Sequence, residues 1–209
     1  MLKKLLVVSL SLFTINAFAD IPDYYAGFQA GYSSTEKSSA NSTINDESVS
    51  LTQNKNSGLA GRFFVGYAVT PFYAMEIGLA RYNSASWTTT VDDQAVPDTT
   101  VSLYGIDTSM RFSWVNKPAF SVYNSLGLTY INAHYGSYND AFQLNQSKYF
   151  LRPKVGLGGN YNVNQATQVN LSYTHIFGKG QLNSALNTQK SSDYLPSIGV
   201  VALGLIYNF

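Results

Sequence analysis

The stretch Leu203-Gly204-Leu205-Ile206-Tyr207-Asn208-Phe209, read with Val201 before it, sets apolar side chains at 201, 203, 205, 207 and 209. Successive side chains of an extended strand point to opposite faces, so this period of two builds one continuous apolar face that ends in two rings. Chain ends ordinarily fray into water and carry small or polar groups. An aromatic last residue asks for an apolar surface beside it, and the rest of the chain says what that surface is.

The same period recurs seven more times. Residues 24–32 place Tyr24, Ala26, Phe28, Ala30 and Tyr32 opposite Tyr25, Gly27, Gln29 and Gly31. Residues 59–69 place Leu59, Phe63, Val65, Tyr67 and Val69 opposite Arg62, Phe64 and Gly66. Residues 73–80 set Tyr73, Met75, Ile77 and Leu79 against Glu76 and Gly78, and residues 104–114 set Tyr104, Ile106, Met110, Phe112 and Trp114 against Asp107, Ser109 and Arg111. Residues 120–130, 151–163 and 168–174 follow the same rule, and no stretch keeps a 3.6-residue period. Each segment is about ten residues long, the length a tilted strand needs to cross a bilayer.

Connection lengths alternate, and that sets the topology. Tight turns surround Thr70-Pro71, Asn116-Lys117-Pro118 and Asn164-Gln165-Ala166, whereas residues 34–58, 83–99, 132–147 and 178–193 are long and polar. The expected fold is all-β: an eight-stranded antiparallel transmembrane up-and-down β-barrel, short turns periplasmic, long loops extracellular, both termini periplasmic. A ten-stranded barrel, with an extra hairpin drawn from the first loop, is the alternative.

Composition agrees. Charged residues make up 12% of the 209, against ~25% for an ordinary soluble domain, while 16 Tyr and 12 Phe help bring aromatics to 14%. Residues 1–19 read as a secretory signal peptide: Lys3 and Lys4, an apolar run, then Ala17-Phe18-Ala19. Losing Lys3 and Lys4 leaves 11 basic against 12 acidic residues in the barrel domain, 20–209, a net charge of −1 that does not suit a nucleic-acid binder. With no cysteine there is no disulfide, thiolate nucleophile or lipoprotein anchor. A soluble barrel would wet a surface rich in Lys and Glu, but here the less apolar face is mostly Gly, Ser, Ala and Asn, suited to a narrow lumen. The apolar face ends in Tyr32, Tyr104, Trp114, Tyr149, Tyr161 and Tyr207, as aromatic girdles at two interfaces require.

On these segments, and above all on Val201, Leu203, Leu205, Tyr207 and Phe209, the chain resembles small bacterial outer-membrane barrels of the OmpA-transmembrane, OmpX and opacity-protein type. The resemblance implies residence in the Gram-negative outer membrane, with the terminal pattern acting as an assembly signal for the barrel-insertion machinery. It also implies a non-enzymatic surface protein whose loops serve adhesion, host contact or envelope integrity, with no cofactor. No peptidoglycan-binding domain is expected after Phe209.

Six charges fall on the inward face: Arg62, Glu76, Asp107, Arg111, Arg152 and Lys154. Lone buried charges cost several kcal/mol, so these are expected to pair. They read as a lumen salt-bridge network, or alternatively as the selectivity ring of a narrow ion or small-solute pore; an eight-stranded interior just filled by side chains favours the former. Asn124 and Pro153 fit poorly, since one is polar on the lipid face and the other lacks a ladder donor.

The expectations for chemistry are mostly negative. A lipid A-modifying enzyme would need a serine two residues from a histidine on one outward face, but Phe177 follows His175 and Gly136 follows His134. Metal-ligand spacing is absent, and Asp92-Asp93 reads as a solvated turn. Arg81, outward at the extracellular rim, is placed to touch lipopolysaccharide phosphate, or else to snorkel. Loops 34–58 and 83–99 would carry any host or cell-surface ligand. The first, rich in Ser, Asn and Thr, reads as mobile; the second reads as a protruding hairpin over residues 87–102, either with an edge open to a partner strand or as a shield.

Overall fold

A computed structural model describes residues 23–37, 39–44, 47–91, 94–137, 146–179 and 195–209. Residues 1–19 and Asp92-Asp93 lie outside them. The strands are β1 (Asp23–Thr35), β2 (Ser39–Ile44), β3 (Glu47–Lys55), β4 (Ser57–Thr70), β5 (Tyr73–Arg81), β6 (Ala85–Val91), β7 (Gln94–Asn116), β8 (Phe120–Ser137), β9 (Gln146–Asn162), β10 (Thr167–Ile176) and β11 (Ile198–Asn208). Eight of them, β1, β4, β5, β7, β8, β9, β10 and β11, form a closed antiparallel barrel in chain order. Its seam is β11 against β1, from Tyr25↔Asn208 to Thr35↔Ile198.

The alternation read from sequence is the alternation of the wall. Val201, Leu203, Leu205 and Tyr207 are more than half exposed on the outside, whereas Ala202 and Ile206 are buried within. Inward aromatics pack opposite inward glycines: Tyr25 pairs with Gly66, and Tyr123 with Gly158. A Cβ at either glycine would run into the facing ring, so the period-two glycines are sockets for rings in a lumen too narrow for both.

The short connections are held by asparagines. Asn164 Oδ1 accepts from the Ala166 and Thr167 amides at 2.9 and 2.8 Å, and Asn162 Nδ2 donates to the Pro118 carbonyl at 2.7 Å. Asn124 is shallower than a mid-strand reading suggests: it pairs with Phe112, whose ring tilts against Tyr73 beside the β4–β5 turn. The β7–β8 register shifts around Trp114 through a bulge. Pro153 lies just beyond the last β9–β10 pair, Ile176↔Lys154, and its carbonyl accepts from Phe177 N at 3.1 Å. Its missing donor faces the same fraying end of that ladder.

At the long-loop end the wall continues on one side. β3 extends β4 and pairs with β6, which extends β5; β2 pairs with β3, and β6 with the upper part of β7. The first loop is thus a hairpin docked in a sheet beyond the barrel, not a free polar segment. It joins the sheet above the barrel and leaves the barrel at eight strands. Residues 132–137 and 146–147, expected in a loop, are strand.

Inside, the lumen is layered. At the short-turn end Tyr25, Phe64 and Ile206 cluster. At the long-loop end Tyr82, Trp87, Leu103, Ile131, Phe150, Ile176, Leu195 and Ile198 form a buried apolar plug. Inward parity switches from even on β5 to odd on β6 across residues 82–84, where Asn83 N donates to Ser33 Oγ and Ser33 Oγ to Asn83 Oδ1, both at 2.8 Å. That switch turns Trp87 inward over the mouth.

Candidate functional site: the lumen network and the extracellular rim

Between the apolar layers lies the charge network. Arg62, on β4, spans two carboxylates: Nη1 reaches Glu76 Oε2 at 3.0 Å, Nη2 reaches Asp107 Oδ1 at 2.8 Å, and Nε reaches Asp107 Oδ2 at 3.0 Å. Glu76 on β5 also accepts from Arg111 Nη1 at 2.9 Å and from the Tyr25 hydroxyl at 3.1 Å. Asp107 on β7 takes Lys154 Nζ at 2.5 Å. The Arg111 guanidinium lies 3.7 Å from the Tyr123 ring centroid, so the cation has a second, quadrupolar contact. A planar fork able to bind two carboxylates at once is what an arginine supplies and a lysine does not, which is why Arg62 is the hub.

Five of the six inward charges thus meet. Arg152 does not: among the described residues it forms no ion pair, and its buried Nε has no hydrogen-bond partner. It stands between Phe150 and Lys154 on β9, paired with Thr129 of β8. Toward β10, Asn170 gathers neutral groups, accepting from Gln29 Nε2 at 2.6 Å and donating to Asn160 Oδ1 at 2.7 Å and the Tyr123 hydroxyl at 2.9 Å. A cavity of about 50 Å³, lined in part by Arg62, Arg111, Lys154, Ser125, Ser172 and Thr174, is the space left.

The rim holds the other candidates. Arg81 is exposed on the outward face with its guanidinium 5.7 Å from the Tyr104 ring centroid. Nearby, Tyr130 and Tyr149 stack at 5.4 Å. Spacing along the chain missed one pair: His134 Nδ1 and Ser147 Oγ are 3.0 Å apart, brought together across the β8–β9 ladder instead of at i+2. Among the described residues no third group orients that imidazole, as an activated serine would need. His175 instead packs edge-on against Phe177. No group of three His, Asp or Glu side chains able to hold a metal occurs among the described residues.

The second loop does form the protruding hairpin, β6 with the upper part of β7, but its β6 edge is occupied. β3 covers it from Val49↔Val91 to Lys55↔Ser86, so the first loop supplies the partner strand from within the chain. The sheet's outer edge is β2.

Known barrels share this architecture. Neisserial surface protein A superposes with a TM-score of 0.57 at 13% identity, over 91% of this chain and 100% of that one. The outer membrane protein OprG from Pseudomonas aeruginosa gives 0.60 at 14%, over 90% and 95%. In sequence, an uncharacterised protein of Coxiella burnetii is 28% identical over 218 residues, 89% of this chain and 85% of that protein. The family model for the OmpA-like transmembrane domain matches residues 19–209, essentially the whole span of the barrel strands. A closed eight-stranded wall, apolar outside and charge-paired within, together with that match, places the chain in the OmpA-like transmembrane domain family, as a β-barrel protein of the Gram-negative outer membrane.

Proposed function

We propose that this protein is a non-enzymatic, non-conducting surface barrel that presents its extracellular sheet for adhesion or host contact, with a contribution to envelope integrity. The observation that carries the reading is the sheet itself. Both long N-terminal loops are built into one β-structure that continues the barrel wall, with β6 running seven residues from Ala85 to Val91, or roughly 23 Å of strand at 3.3 Å per residue. A rigid display surface of this kind favours contact with a partner over simple shielding. The apolar layers at both ends of the lumen weigh against a pore. In this reading both termini face the periplasm, where the short turns are.

Replacing residues 39–53 with a short Gly-Ser linker removes β2 and most of β3 while leaving the eight barrel strands. The variant is expected to keep its heat-modifiable migration on gels and its surface level, and to lose binding to host cells or matrix. Undiminished binding by a correctly assembled variant would end the adhesive reading.

Arg81 contacts lipopolysaccharide phosphate in the same reading, its guanidinium held over the Tyr104 ring with its N–H groups available for a bidentate contact. Arg81→Ala should lower lipopolysaccharide co-purification without changing the barrel's urea midpoint. Equal co-purification would reduce Arg81 to a snorkelling cation.

A further inference from the structure

The chamber between the two apolar layers has more positive charge and more donors than its own acceptors satisfy. Arg62, Arg111 and Lys154 face only two carboxylates, Glu76 and Asp107, and Arg152 adds to the excess with no acid beside it among the described residues. Glu76 is already taken by Arg62, Arg111, Tyr25 and Ser109, and Asp107 by Arg62 and Lys154. The Lys154 ammonium, 7% exposed, has three protons and one hydrogen-bond acceptor, Asp107 Oδ1, among the described residues. Two hydroxyls near it, Ser125 and Thr174, have no hydrogen-bond partner among the described residues. Both lie against Gly156, two residues from Lys154 on the same inward face: a Cβ there would sit 2.5 Å from Ser125 Oγ and 3.4 Å from Thr174 Oγ1. Lys154, Ser125 and Thr174 all line the 50 Å³ cavity, several times the ~10–15 Å³ that one water needs.

We propose that this cavity is a binding site for a small monovalent anion of the halide class, held by Lys154 Nζ and the Ser125 and Thr174 hydroxyls. An uncompensated positive charge sealed between apolar layers is costly, and an anion in the cavity cancels it while accepting the unused protons. Charge and size set the specificity: the inward charges that line the cavity are Arg62, Arg111 and Lys154 against Glu76 and Asp107, with Arg152 not among them, so one monovalent anion balances them, and gluconate is too large for a space of about 50 Å³. The buried layer of Trp87, Phe150 and their neighbours stands between the chamber and the long loops, so in this proposal the ion enters as the barrel folds and is a structural component of it.

The test is refolding in sodium chloride, bromide or gluconate at matched ionic strength, with crystals grown from the bromide sample. The expected result is a bromine anomalous peak among Lys154, Ser125 and Thr174. It is accompanied by a saturable rise in Tm of about 2–4 °C in halide over gluconate, the response of a chain this size to modest net binding. Lys154→Met should lose both peak and halide dependence, and the milder Ser125→Ala should weaken the halide dependence in a barrel that still folds. A chamber without bromine, or equal Tm in all three salts, overturns the proposal, as does an undiminished halide response in Lys154→Met. Planar-bilayer conductance of the same samples tests the closed lumen separately: steady single-channel steps would overturn the non-conducting barrel, whereas silence with no bromine overturns the anion site alone.

Discussion

Glu76→Ala is expected to destabilise the barrel by about 3–5 kcal/mol, the cost of orphaning a buried cation. Glu76 is 8% exposed and joins Arg62 to Arg111. Without it, Arg62 keeps Asp107, but Arg111, 7% exposed, is left with only the faces of Tyr123 and Tyr25. The Tyr25 hydroxyl loses its acceptor in the same step. An exposed ion pair would be worth about 0.2–1 kcal/mol by comparison, so the magnitude separates a sealed network from a solvated one. Urea unfolding in detergent or lipid vesicles reads the difference as a lower midpoint at unchanged slope. Adding Arg111→Met removes the orphaned cation and should recover part of the loss, with a coupling of roughly 0.5–3 kcal/mol between the two sites. A loss under about 1 kcal/mol for Glu76→Ala would mean that water screens the network, and the closed-lumen reading would fall with it.

How far the chain could be read in advance follows from what periodicity encodes. A period of two gives the face of each side chain, so the inward set Arg62, Glu76, Asp107, Arg111 and Lys154 was legible, as was the outward row from Val201 to Tyr207. Turn lengths gave the strand order, since tight turns can join only neighbours. Cross-strand partners were harder, because the ladder register depends on bulges such as the one at Trp114 that leave no mark in the alternation. His134 and Ser147 face each other directly in the β8–β9 ladder, although nothing in their spacing announces it. The apolar plug at the long-loop end was hidden by the parity switch at residues 82–84: counted straight on from β5, Trp87 falls on the outer face, yet it is 6% exposed. Loop composition misled in the first loop, where Ser, Asn and Thr suggested mobility. Docking on β6 is made through backbone groups that any residue but proline can supply, and an open β6 edge is what recruits them. Arg152 shares its neighbours' parity, yet among the described residues it forms no ion pair, which parity alone does not foretell.

Phe209→Ala is expected to lower surface levels several-fold while barely altering the finished barrel. The Phe209 ring is 78% exposed, meets Tyr207 edge-on at 5.3 Å, and its amide donates to the Tyr24 carbonyl at 3.0 Å. Alanine keeps the amide bond and gives up only the ring pair, about 0.5–1.5 kcal/mol. A loss that small cannot deplete a barrel whose wall is closed all the way round. Assembly is different, because β1 and β11 are the first and last strands of the barrel and their ladder is the seam that closes it. Until it forms, β11 shows an unpaired edge and an outward row of Val201, Leu203, Leu205, Tyr207 and Phe209 to whatever receives it. We propose that the barrel-insertion machinery reads this row with the terminal ring as its anchor, so the ring matters before closure and little afterwards. Surface abundance at matched synthesis, set beside the urea midpoint of refolded protein, separates the two roles. If abundance and midpoint fell in proportion, the ring would be a stability element only; if neither moved, the terminal row would not be the feature that is read.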